Sequence, residues 1–451
     1  MLSKKTSALV AGAMALGMTV PAMASEAELA AQLAKVQQKL AALEQAQSQD
    51  WLNERRAEEI KGLISDVLAD ADTRATLLQD GVLAGHDGKG FYLKSADDSF
   101  KMKIGGQIQF RYMANFLDDR TTGGDDNETL HAFNVRRAKL KFKGTVNDEF
   151  GFKLTLATDR NDGSVSMEDA AVSWKYNDEL TFVGGIDKLP FLREELTSSS
   201  KLLAVDRASV TEFFTLGRGA FVGANWDASE NVKVAVAAGN DTASDDGGYV
   251  EYGQMVGDIS LVARADVKLA GDWGQSKDYV AWTGDDRAWF VGAAANYQRG
   301  DRGMNVDLDY GAWTLDTLYK ANQWTASLAI NGAHVFADDA TGDADHYGVL
   351  AQLAYNMDDK IQPFIRYEWM DIDGVDADEI QGATVGVNYF LAKHNAKITT
   401  DLVWFFKGDI DGVSNAFGAN PFSNGLGLNS DGNDYDNNDL VVARAQFQLA
   451  F

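Results

Sequence analysis

The sequence contains no cysteine among its 451 residues. It therefore has neither a disulfide framework nor a thiolate that could act as a metal ligand or a nucleophile. Only 4 prolines accompany 43 glycines, a balance typical of a sheet protein with many tight turns. Basic residues are also few: the sequence has 41 Lys and Arg but 67 Asp and Glu, which gives a net charge of −26. General nucleic-acid binding needs a basic surface, so that class of function is excluded.

Long apolar runs are missing as well, apart from one at the N-terminus. Residues 8–20 are apolar, follow Lys4 and Lys5, and precede Ala22-Met23-Ala24, as in a signal peptide with an A-x-A cleavage site. An uncleaved anchor is the alternative, but the run is shorter than the ~20 residues that a spanning helix needs. We expect residues 1–24 to be removed and the mature chain to begin at Ser25. An exported chain without another apolar helix can insert into a membrane only with strands.

Residues 25–80 have helical character and begin with a short heptad pattern. Apolar residues alternate at spacings of four and three, as in a coiled-coil seam. The seam consists of Leu29, Leu33, Val36, Leu40 and Leu43. One interpretation is a periplasmic coiled coil that helps to assemble an oligomer. The other is a single helix that lies against its own barrel, since so short a seam is marginal alone. We expect residues 81–99 to be a linker.

From residue 100 onward the sequence alternates between apolar and polar residues. In the first such stretch, Ile104, Ile108 and Phe110 occupy one parity, while Lys103 and Gln107 occupy the other. This period of two predicts a strand. The stretch is longer than the ~5–6 residues usual for soluble sheets. It suits a tilted membrane strand with one face toward lipid and the other toward water.

The alternation recurs to the end of the chain and predicts 16 strands, an even number, as bacterial barrels have. The predicted strands are 100–116, 132–146, 150–160, 165–177, 180–187, 217–227, 231–240, 257–270, 286–299, 306–319, 322–336, 345–356, 360–371, 379–390, 395–406 and 438–451. Short connections alternate with long polar ones, which is the asymmetry of an outer-membrane barrel. Connection 271–285 is long where a short turn is expected, and it leaves the count open by two strands. The predicted fold is all-β, a 16-stranded antiparallel transmembrane barrel over residues 100–451.

The last strand ends in alternating apolar residues, Phe447, Leu449 and Phe451. This ending is similar to the C-terminal assembly signal of outer-membrane proteins, and aromatic rings favour the membrane interface. A terminal edge strand in a soluble sandwich is the alternative. We therefore expect the protein in the outer membrane of a Gram-negative bacterium, in contact with its lipid and lipopolysaccharide.

Residues 188–216 form a long connection that is too apolar to extend into solvent. A loop that folds into the lumen of a barrel narrows the pore. We predict that this segment is the constriction loop. Its candidate residues are Lys188, Pro190, Phe191, Arg193, Glu194, Glu195, Thr197, Ser198, Ser199, Lys201, Asp206 and Arg207.

This segment resembles the phosphate-selective porin O and P family. The family motif has the form G-x-x-K-x-P-F-x-x-E-x-x-T-S-S followed by E-R-S. It is matched by Gly185, Lys188, Pro190, Phe191, Glu194 or Glu195, and Thr197 to Ser199, while Asp206-Arg207-Ala208 stands at the E-R-S position. The similar layout covers residues 90–451, and 185–207 is its specific part. The resemblance implies a trimeric 16-stranded porin whose solutes include phosphate. The N-terminal helical segment departs from the simplest members.

A row of basic residues follows one parity of the second predicted strand. Placing Lys or Arg on the lipid face at mid-membrane costs ~2–4 kcal/mol each, so this row must face the lumen. A hairpin about 117–131 brings Arg111 near Arg137, and Lys103 near Lys143. The predicted anion track comprises Arg111, Arg137, Lys139, Lys141, Lys143 and Lys153. The alternative is a lattice of ion pairs with acidic loop residues, which leaves selectivity neutral.

Patterns of enzymes are missing. The five histidines are scattered, and neither a G-x-S-x-G motif nor a P-loop occurs. We expect no catalysis, cofactor or metal. The expected function is passive diffusion of small hydrophilic solutes through a homotrimeric porin, with a preference for anions such as phosphate. A general or cation-preferring porin is the first alternative, since the predicted outer loops are acidic. A structural protein that tethers the envelope is the second.

Overall fold

The computed structural model describes a few residues near the N-terminus and most of the barrel. The described residues are 31, 34–39, 82–87, 90–118, 127–158, 163–240, 259–299, 308–337, 343–374, 379–408, 426 and 440–451. The chain divides into two units, Met1–Leu77 and Leu78–Phe451. Within the described residues, no helix has the length and apolar character needed to cross a membrane.

The second unit contains 18 described strands joined as antiparallel neighbours. They are β1 (Val82–His86), β2 (Phe91–Ser95), β3 (Phe100–Asp118), β4 (Asn127–Val146), β5 (Phe150–Thr158), β6 (Val165–Lys175), β7 (Leu180–Lys188), β8 (Arg218–Ser229), β9 (Val232–Gly239), β10 (Ile259–Ala270), β11 (Ala288–Arg299), β12 (Leu308–Ala321), β13 (Trp324–Ala337), β14 (Ala344–Tyr355), β15 (Ile361–Ile372), β16 (Glu379–Ala392), β17 (Ala396–Lys407) and β18 (Leu440–Ala450). Strands β3 to β18 pair in sequence order, and β18 pairs back with β3 from Val441↔Phe116 to Ala450↔Gln107. The predicted closed antiparallel barrel of 16 strands is therefore confirmed.

Side chains alternate between the two faces of the barrel wall. In β11 every second residue is buried and every other one is exposed. In β3, Gln107 and Gln109 point inward and are fully buried, whereas Ile108 and Phe110 point outward and are 46% and 47% exposed. The wall thus presents apolar side chains outside and polar ones inside, as the period of two requires.

One end of the barrel has tight hairpins, and we call it the turn side. Three of its turns contain two consecutive residues with positive φ: Asn147-Asp148, Asn322-Gln323 and Asp358-Asp359. Such pairs form the primed turns that match the twist of antiparallel strands, and Asn and Asp tolerate this conformation best. The opposite end, the loop side, carries the longer connections.

The expectation that residues 81–99 are a linker is wrong, because most of this range forms a hairpin of β1 and β2. Strand β2 pairs with β3 from Phe91↔Ile104 to Lys94↔Lys101. Next along the same edge of β3, Phe451 exchanges backbone hydrogen bonds with Gly106 at 2.7 and 3.0 Å. The hairpin therefore pairs with the part of β3 that β18 does not reach. Strands of five residues give too few alternations to be recognised in the sequence.

Connection 271–285 is a folded insert, and no strand is present in it. It contains a 3-10 turn, Trp273–Lys277, followed by three buried residues, Tyr279, Val280 and Ala281. Their carbonyl groups accept hydrogen bonds from the barrel: Gln362 to Tyr279 at 3.1 Å, Lys320 to Val280 at 3.0 Å, and Asn356 to Ala281 at 3.0 Å. We call residues 271–285 the turn-side insert. It fills part of the lumen and adds no strand to the count.

In the first unit, residues 31 and 34–39 are helical, and Val36 is 43% exposed. The other seam positions Leu29, Leu33, Leu40 and Leu43 lie outside the described residues, as do the signal peptide 1–24 and most of 25–80.

Candidate functional site

The connection between β7 and β8 folds into the barrel, and we call residues 189–217 the constriction segment. It contains two short helices, α1 (Arg193–Leu196) and α2 (Ser209–Phe214). Phe191, Val210 and Phe214 are at most 1% exposed and pack against apolar residues of the inner wall. Burial of these side chains gives the segment a hydrophobic attachment to the barrel.

Inner-wall side chains also hold the backbone of the constriction segment. Four carbonyl groups between Ser199 and Leu203 accept hydrogen bonds from four different strands, which fixes this part of the segment to the inner wall. The bonds are Gln109 to Ser199 at 3.1 Å, Gln448 to Ser200 at 3.0 Å, Lys397 to Leu202 at 2.9 Å and Asn388 to Leu203 at 2.8 Å, and Gln107 donates to the Ser199 hydroxyl at 2.8 Å. The donors lie on β3, β16, β17 and β18, so the segment spans the seam where the barrel closes.

A cluster of three arginines surrounds Asp206. The Asp206 carboxylate lies 3.1 Å from Arg111, 2.6 Å from Arg136 and 2.7 Å from Arg137. The Asp206 side chain is 2% exposed. Burial alone would raise the pKa of Asp206, but the three guanidinium groups outweigh it and hold this pKa well below its usual range. The carboxylate is therefore charged at neutral pH.

A β-bulge allows two adjacent arginines to reach the same carboxylate. The register between β3 and β4 shifts between Gln109 and Phe110, where the partners change from Arg137 to Val135. Arg136 is the extra residue, and a bulge breaks the alternation so that neighbours can share a face. Strict alternation in the sequence places Arg136 on the lipid side, so sequence reasoning does not predict that Arg136 binds Asp206.

A second charged cluster lies at the two carboxylates of α1. Glu194 accepts hydrogen bonds from the backbone of Ala208 at 3.1 Å and from the Thr211 hydroxyl at 2.6 Å. Glu195 pairs with Arg207 at 2.7 Å and with Lys188 at 3.3 Å. Burial would raise the pKa of Glu195, but these two cations outweigh it and lower this pKa. The motif residues thus fasten the two helices of the constriction segment to each other.

Arg193 connects α1 to the opposite part of the wall. It lies 2.8 Å from Asp266 on β10 and also pairs with Asp316 on β12. Arg264 shares both carboxylates at 2.7 and 2.8 Å and donates to the carbonyl of Phe191 at 2.6 Å. Two arginines and two aspartates therefore close a neutral network, which is the arrangement that buried charges require.

The predicted anion track lies on the inner wall, but most of its members have polar partners. Arg111 and Arg137 bind Asp206, as described above. Lys139 pairs with Glu168, and Lys141 donates to the Gln107 side chain at 2.9 Å. Lys153 pairs with Asp187 at 2.6 Å. This part of the row corresponds to the alternative of an ion-pair lattice, although strand residues supply several of the carboxylates.

Lys143 is the exception, because it is exposed and has neither an ion pair nor a side-chain hydrogen bond among the described residues. It stands directly opposite Lys103 on β3 and directly opposite Lys153 on β5. Three ammonium groups therefore occupy one level across three neighbouring strands. Like charges in directly opposed positions repel unless anions screen them. Lys103 pairs with Asp87 and Lys153 with Asp187, so Lys143 is the member of this row whose charge is left for an anion to compensate.

The lysine row opens into a cavity of about 1170 Å³ in the turn-side half of the lumen, which we call the basic vestibule. The hairpin contributes Tyr92 and Lys94 to its lining, and the turn-side insert contributes Lys277. Eight basic and three acidic residues line it. Several of these cations pair with carboxylates at the rim or behind the wall, but Lys277, like Lys143, is exposed and has no ion pair among the described residues. The vestibule surface is therefore enriched in positive charge.

The remaining candidate residues fall into two groups. Pro190 lines the basic vestibule, while Thr197, Ser198 and Lys201 lie along the constriction segment; Lys201 has no ion pair within the described part of the chain. The residues of the proposed C-terminal signal face outward, and Phe447, Leu449 and Phe451 are 44%, 43% and 45% exposed. No group of three or more His, Asp or Glu suited to a metal occurs among the described residues.

Comparison with known proteins agrees with this architecture. Residues 103–254 match the family model described as Phosphate-selective porin O and P. Among solved structures, an anion-selective porin from Comamonas acidovorans is similar with a TM-score of 0.56 and 13% identity, over 78% of this chain and 100% of that chain. OmpF of Salmonella typhi, solved with daunomycin, is similar with a TM-score of 0.50 and 14% identity, over 79% and 99%. No curated protein sequence matches.

The matched stretch contains the whole constriction segment, so the resemblance noted in the sequence is confirmed there. At such low identity the solved structures establish the fold alone. Over residues 103–254 the chain is similar to the phosphate-selective porin O and P family. The protein is an outer-membrane β-barrel porin, which is a channel and not an enzyme.

Proposed function

We propose that this porin passes small hydrophilic solutes and prefers anions, phosphate among them. The observation that carries the proposal is the lysine row of Lys103, Lys143 and Lys153 in the wall of the basic vestibule. Positive charge in a channel with low-dielectric walls concentrates anions and repels cations. The matching family model and the anion-selective relative support the same sign of selectivity.

The cations that carry selectivity are those on the vestibule surface. The arginines at Asp206 share one carboxylate and lie largely behind the constriction segment, so they add less than exposed lysines to the field that a passing ion meets. Lys143 and Lys277 are exposed and lack ion pairs among the described residues. The rim pairs of Lys101 with Asp148 at 3.2 Å and of Lys94 with Asp98 at 3.0 Å are solvent-exposed. Salt screens such pairs, so they contribute weakly. This distribution favours a moderate preference for anions over strict exclusion of cations.

The assembly that we propose is a homotrimer, as the family resemblance implies. We further propose that the seam of Leu29, Leu33, Val36, Leu40 and Leu43 contributes a periplasmic coiled coil, after cleavage of residues 1–24. The exposure of Val36 is compatible with a partner helix, since an apolar seam residue gains stability only when covered.

The test is the reversal potential of single channels in a KCl gradient, for Lys143→Glu and for a matched control. Lys360→Glu makes the same charge change on an exposed turn-side residue that does not line the vestibule. We expect Lys143→Glu to shift the reversal potential toward the potassium equilibrium potential. Lys360→Glu should leave the reversal potential close to the wild-type value. Equal shifts in both variants, or a shift in neither, would remove the lysine row as the cause of selectivity.

The rival is a general or cation-preferring porin controlled by acidic loops. That rival predicts a cation-side reversal potential in the wild type and little effect of Lys143. The acidic stretches on which that rival relies, 245–246, 338–339 and 431–439, lie outside the described residues.

A further inference from the structure

The carboxylate of Asp206 occupies a position where the wall itself is built for an anion. Arg111 and Arg136 donate to one oxygen at 3.1 and 2.6 Å, while Arg137 and a second Arg136 nitrogen donate to the other at 2.7 and 3.2 Å. Four charge-assisted hydrogen bonds on two oxygens, one arginine bridging both, are the geometry by which arginines recognise an oxyanion.

The three arginines and the carboxylate come from different parts of the molecule. Arg111 is on β3, and Arg136 and Arg137 are on β4, all on strands of the barrel wall. Asp206 belongs to the constriction segment, which reaches them only by folding inward. The wall therefore forms the cradle, and a residue from a loop fills it. One carboxylate faces three guanidinium groups, so the cluster as a whole keeps an excess of positive charge.

We infer that Asp206 determines the specificity of the constriction, because its carboxylate fills a three-arginine cradle that otherwise takes a small oxyanion such as phosphate. The inference rests on the proposed function, since it concerns how an anion-preferring pore treats its solute. A channel must bind an ion weakly enough to release it. An empty cradle of three buried arginines would hold phosphate tightly and slow its passage. Asp206 removes this trap and leaves conduction to the exposed lysines of the basic vestibule.

The experiment uses the full-length protein in detergent and inorganic phosphate as the probe. Thermal unfolding of wild type and Asp206→Asn is compared in sodium phosphate and in sodium gluconate at equal ionic strength. Gluconate is the reference because its polyhydroxy chain is too bulky to enter a buried cradle, although its single charge is also on a carboxylate. Asp206→Asn removes the charge that holds the side chain among the guanidinium groups, so the carboxamide can rotate out of the cradle when phosphate enters. We expect phosphate to raise its unfolding temperature by at least about 2 °C more than that of wild type.

Two variants serve as controls. Asp206→Glu keeps the negative charge, so its unfolding temperature should show no more dependence on phosphate than the wild type does. Asp401→Asn removes another buried carboxylate, which pairs with one arginine, Arg444, at 2.7 Å. A single guanidinium does not form a cradle, so we expect no added phosphate dependence. An effect confined to Asp206→Asn assigns the site to the three-arginine cluster.

Conductance supplies a second readout. In bilayers, the Asp206→Asn current should saturate at a phosphate concentration roughly tenfold lower than in wild type, which corresponds to tighter binding. The inference is overturned if phosphate and gluconate give equal shifts in Asp206→Asn and wild type. It is also overturned if Asp206→Asn refolds in neither anion while Asp206→Glu refolds normally, since phosphate should replace the missing carboxylate. Wild-type reversal potential is measured separately, so a failure of the proposed anion preference is distinguishable from a failure here.

Discussion

At the residue scale, the charged interior is organised by a few buried carboxylates that each collect several cations. Asp206 holds three arginines, and Asp316 pairs with Arg193 and Arg264. Removing one partner from such a network leaves a buried charge without compensation, which costs more than the pair itself contributes. Substitutions of these inner-wall charges should therefore destabilise the protein more than substitutions of solvent-exposed polar residues do.

The charge of Asp206 makes a prediction for the dependence of the constriction on pH. A carboxyl whose folded pKa is depressed contributes stability that is complete above its unfolded pKa and is lost as pH falls through the folded pKa. The ordinary value is 3.8, and the pKa of Asp206 lies well below it. We expect single-channel conductance to show no transition from Asp206 between pH 7 and pH 4, and any loosening to occur only below 3.8. A step in conductance near pH 5 that disappears in Asp206→Asn would contradict this assignment.

Arg193 provides a second prediction at this scale. Arg193→Ala leaves Asp266 and Asp316 with Arg264 alone, at a cost of about 3–5 kcal/mol for a broken buried network. We expect a lower unfolding temperature and a noisier, larger conductance, because α1 loses its attachment to β10 and β12. Arg299→Ala, a change at the loop-side end of β11, is the matched control. An unchanged conductance in Arg193→Ala would show that the apolar contacts of Phe191 hold the segment without it.

At the element scale, the lumen is shaped by two inserts that enter from opposite ends. The constriction segment enters from the loop side, and the turn-side insert enters from the other. Leu203 and Ala204 of the first pack in the same cluster as Tyr279 of the second. Together they fill the part of the lumen against β11 to β17, which leaves the basic vestibule beside β3 to β10.

This arrangement predicts the effect of shortening the turn-side insert. Replacing residues 272–285 with Asn-Gly should raise single-channel conductance, because Tyr279, Val280 and Ala281 no longer occupy the lumen. The hairpin of β10 and β11 retains its register from Ile259↔Arg299 to Lys268↔Phe290, so the barrel should still assemble. Unchanged conductance in a correctly folded variant would mean that the insert does not limit the path of ions.

The pairing of the β1–β2 hairpin with β3 can be tested with a designed disulfide, because the chain has no cysteine of its own. Tyr92 and Lys103 are directly opposite on β2 and β3, within the Cα separation that a disulfide needs. We expect the double variant Tyr92→Cys, Lys103→Cys to form a disulfide on oxidation. Leu93→Cys with Lys103→Cys shifts the pair by one residue and points the side chains to opposite faces, so it should not crosslink. Equal crosslinking in both pairs would contradict the observed register.

At the scale of the whole molecule, the sequence predicts the barrel wall well because its signal is long and repeated. A strand such as β3 or β16 provides many alternations between lipid and water, and the two environments differ enough to make the parity clear. All 16 predicted barrel strands correspond to observed ones. The predicted connections also locate the constriction segment, since a long apolar loop on a barrel has few other places to go.

What the sequence does not predict are the features that depend on register or on short contacts. The bulge that turns both Arg136 and Arg137 inward breaks the alternation on which the prediction relied. Glu168 and Asp169 lie at a similar register shift between β5 and β6, where the partners of Thr155 and Leu156 are Asp169 and Met167. The partner of each lysine is likewise set by three-dimensional proximity. Spacing alone leaves the anion track and the ion-pair lattice open; the structure gives most of the row polar partners and leaves Lys143 without an ion pair among the described residues.

The N-terminal unit supplies a prediction about assembly. If the heptad seam stabilises the proposed trimer, deleting residues 26–49 should lower the mass of the detergent complex or its resistance to dissociation, while the barrel still folds. Mass determination by light scattering with correction for bound detergent measures this directly. A trimer of unchanged mass and stability would leave the seam without a role in assembly.

The account depends most on the sign of charge selectivity in the unmodified channel. Purified protein in a planar bilayer under a tenfold KCl gradient gives that sign from the zero-current potential. The account predicts stepwise openings and a zero-current potential displaced toward the chloride equilibrium potential. A displacement toward the potassium equilibrium potential, or a barrel that inserts without conducting, would contradict it.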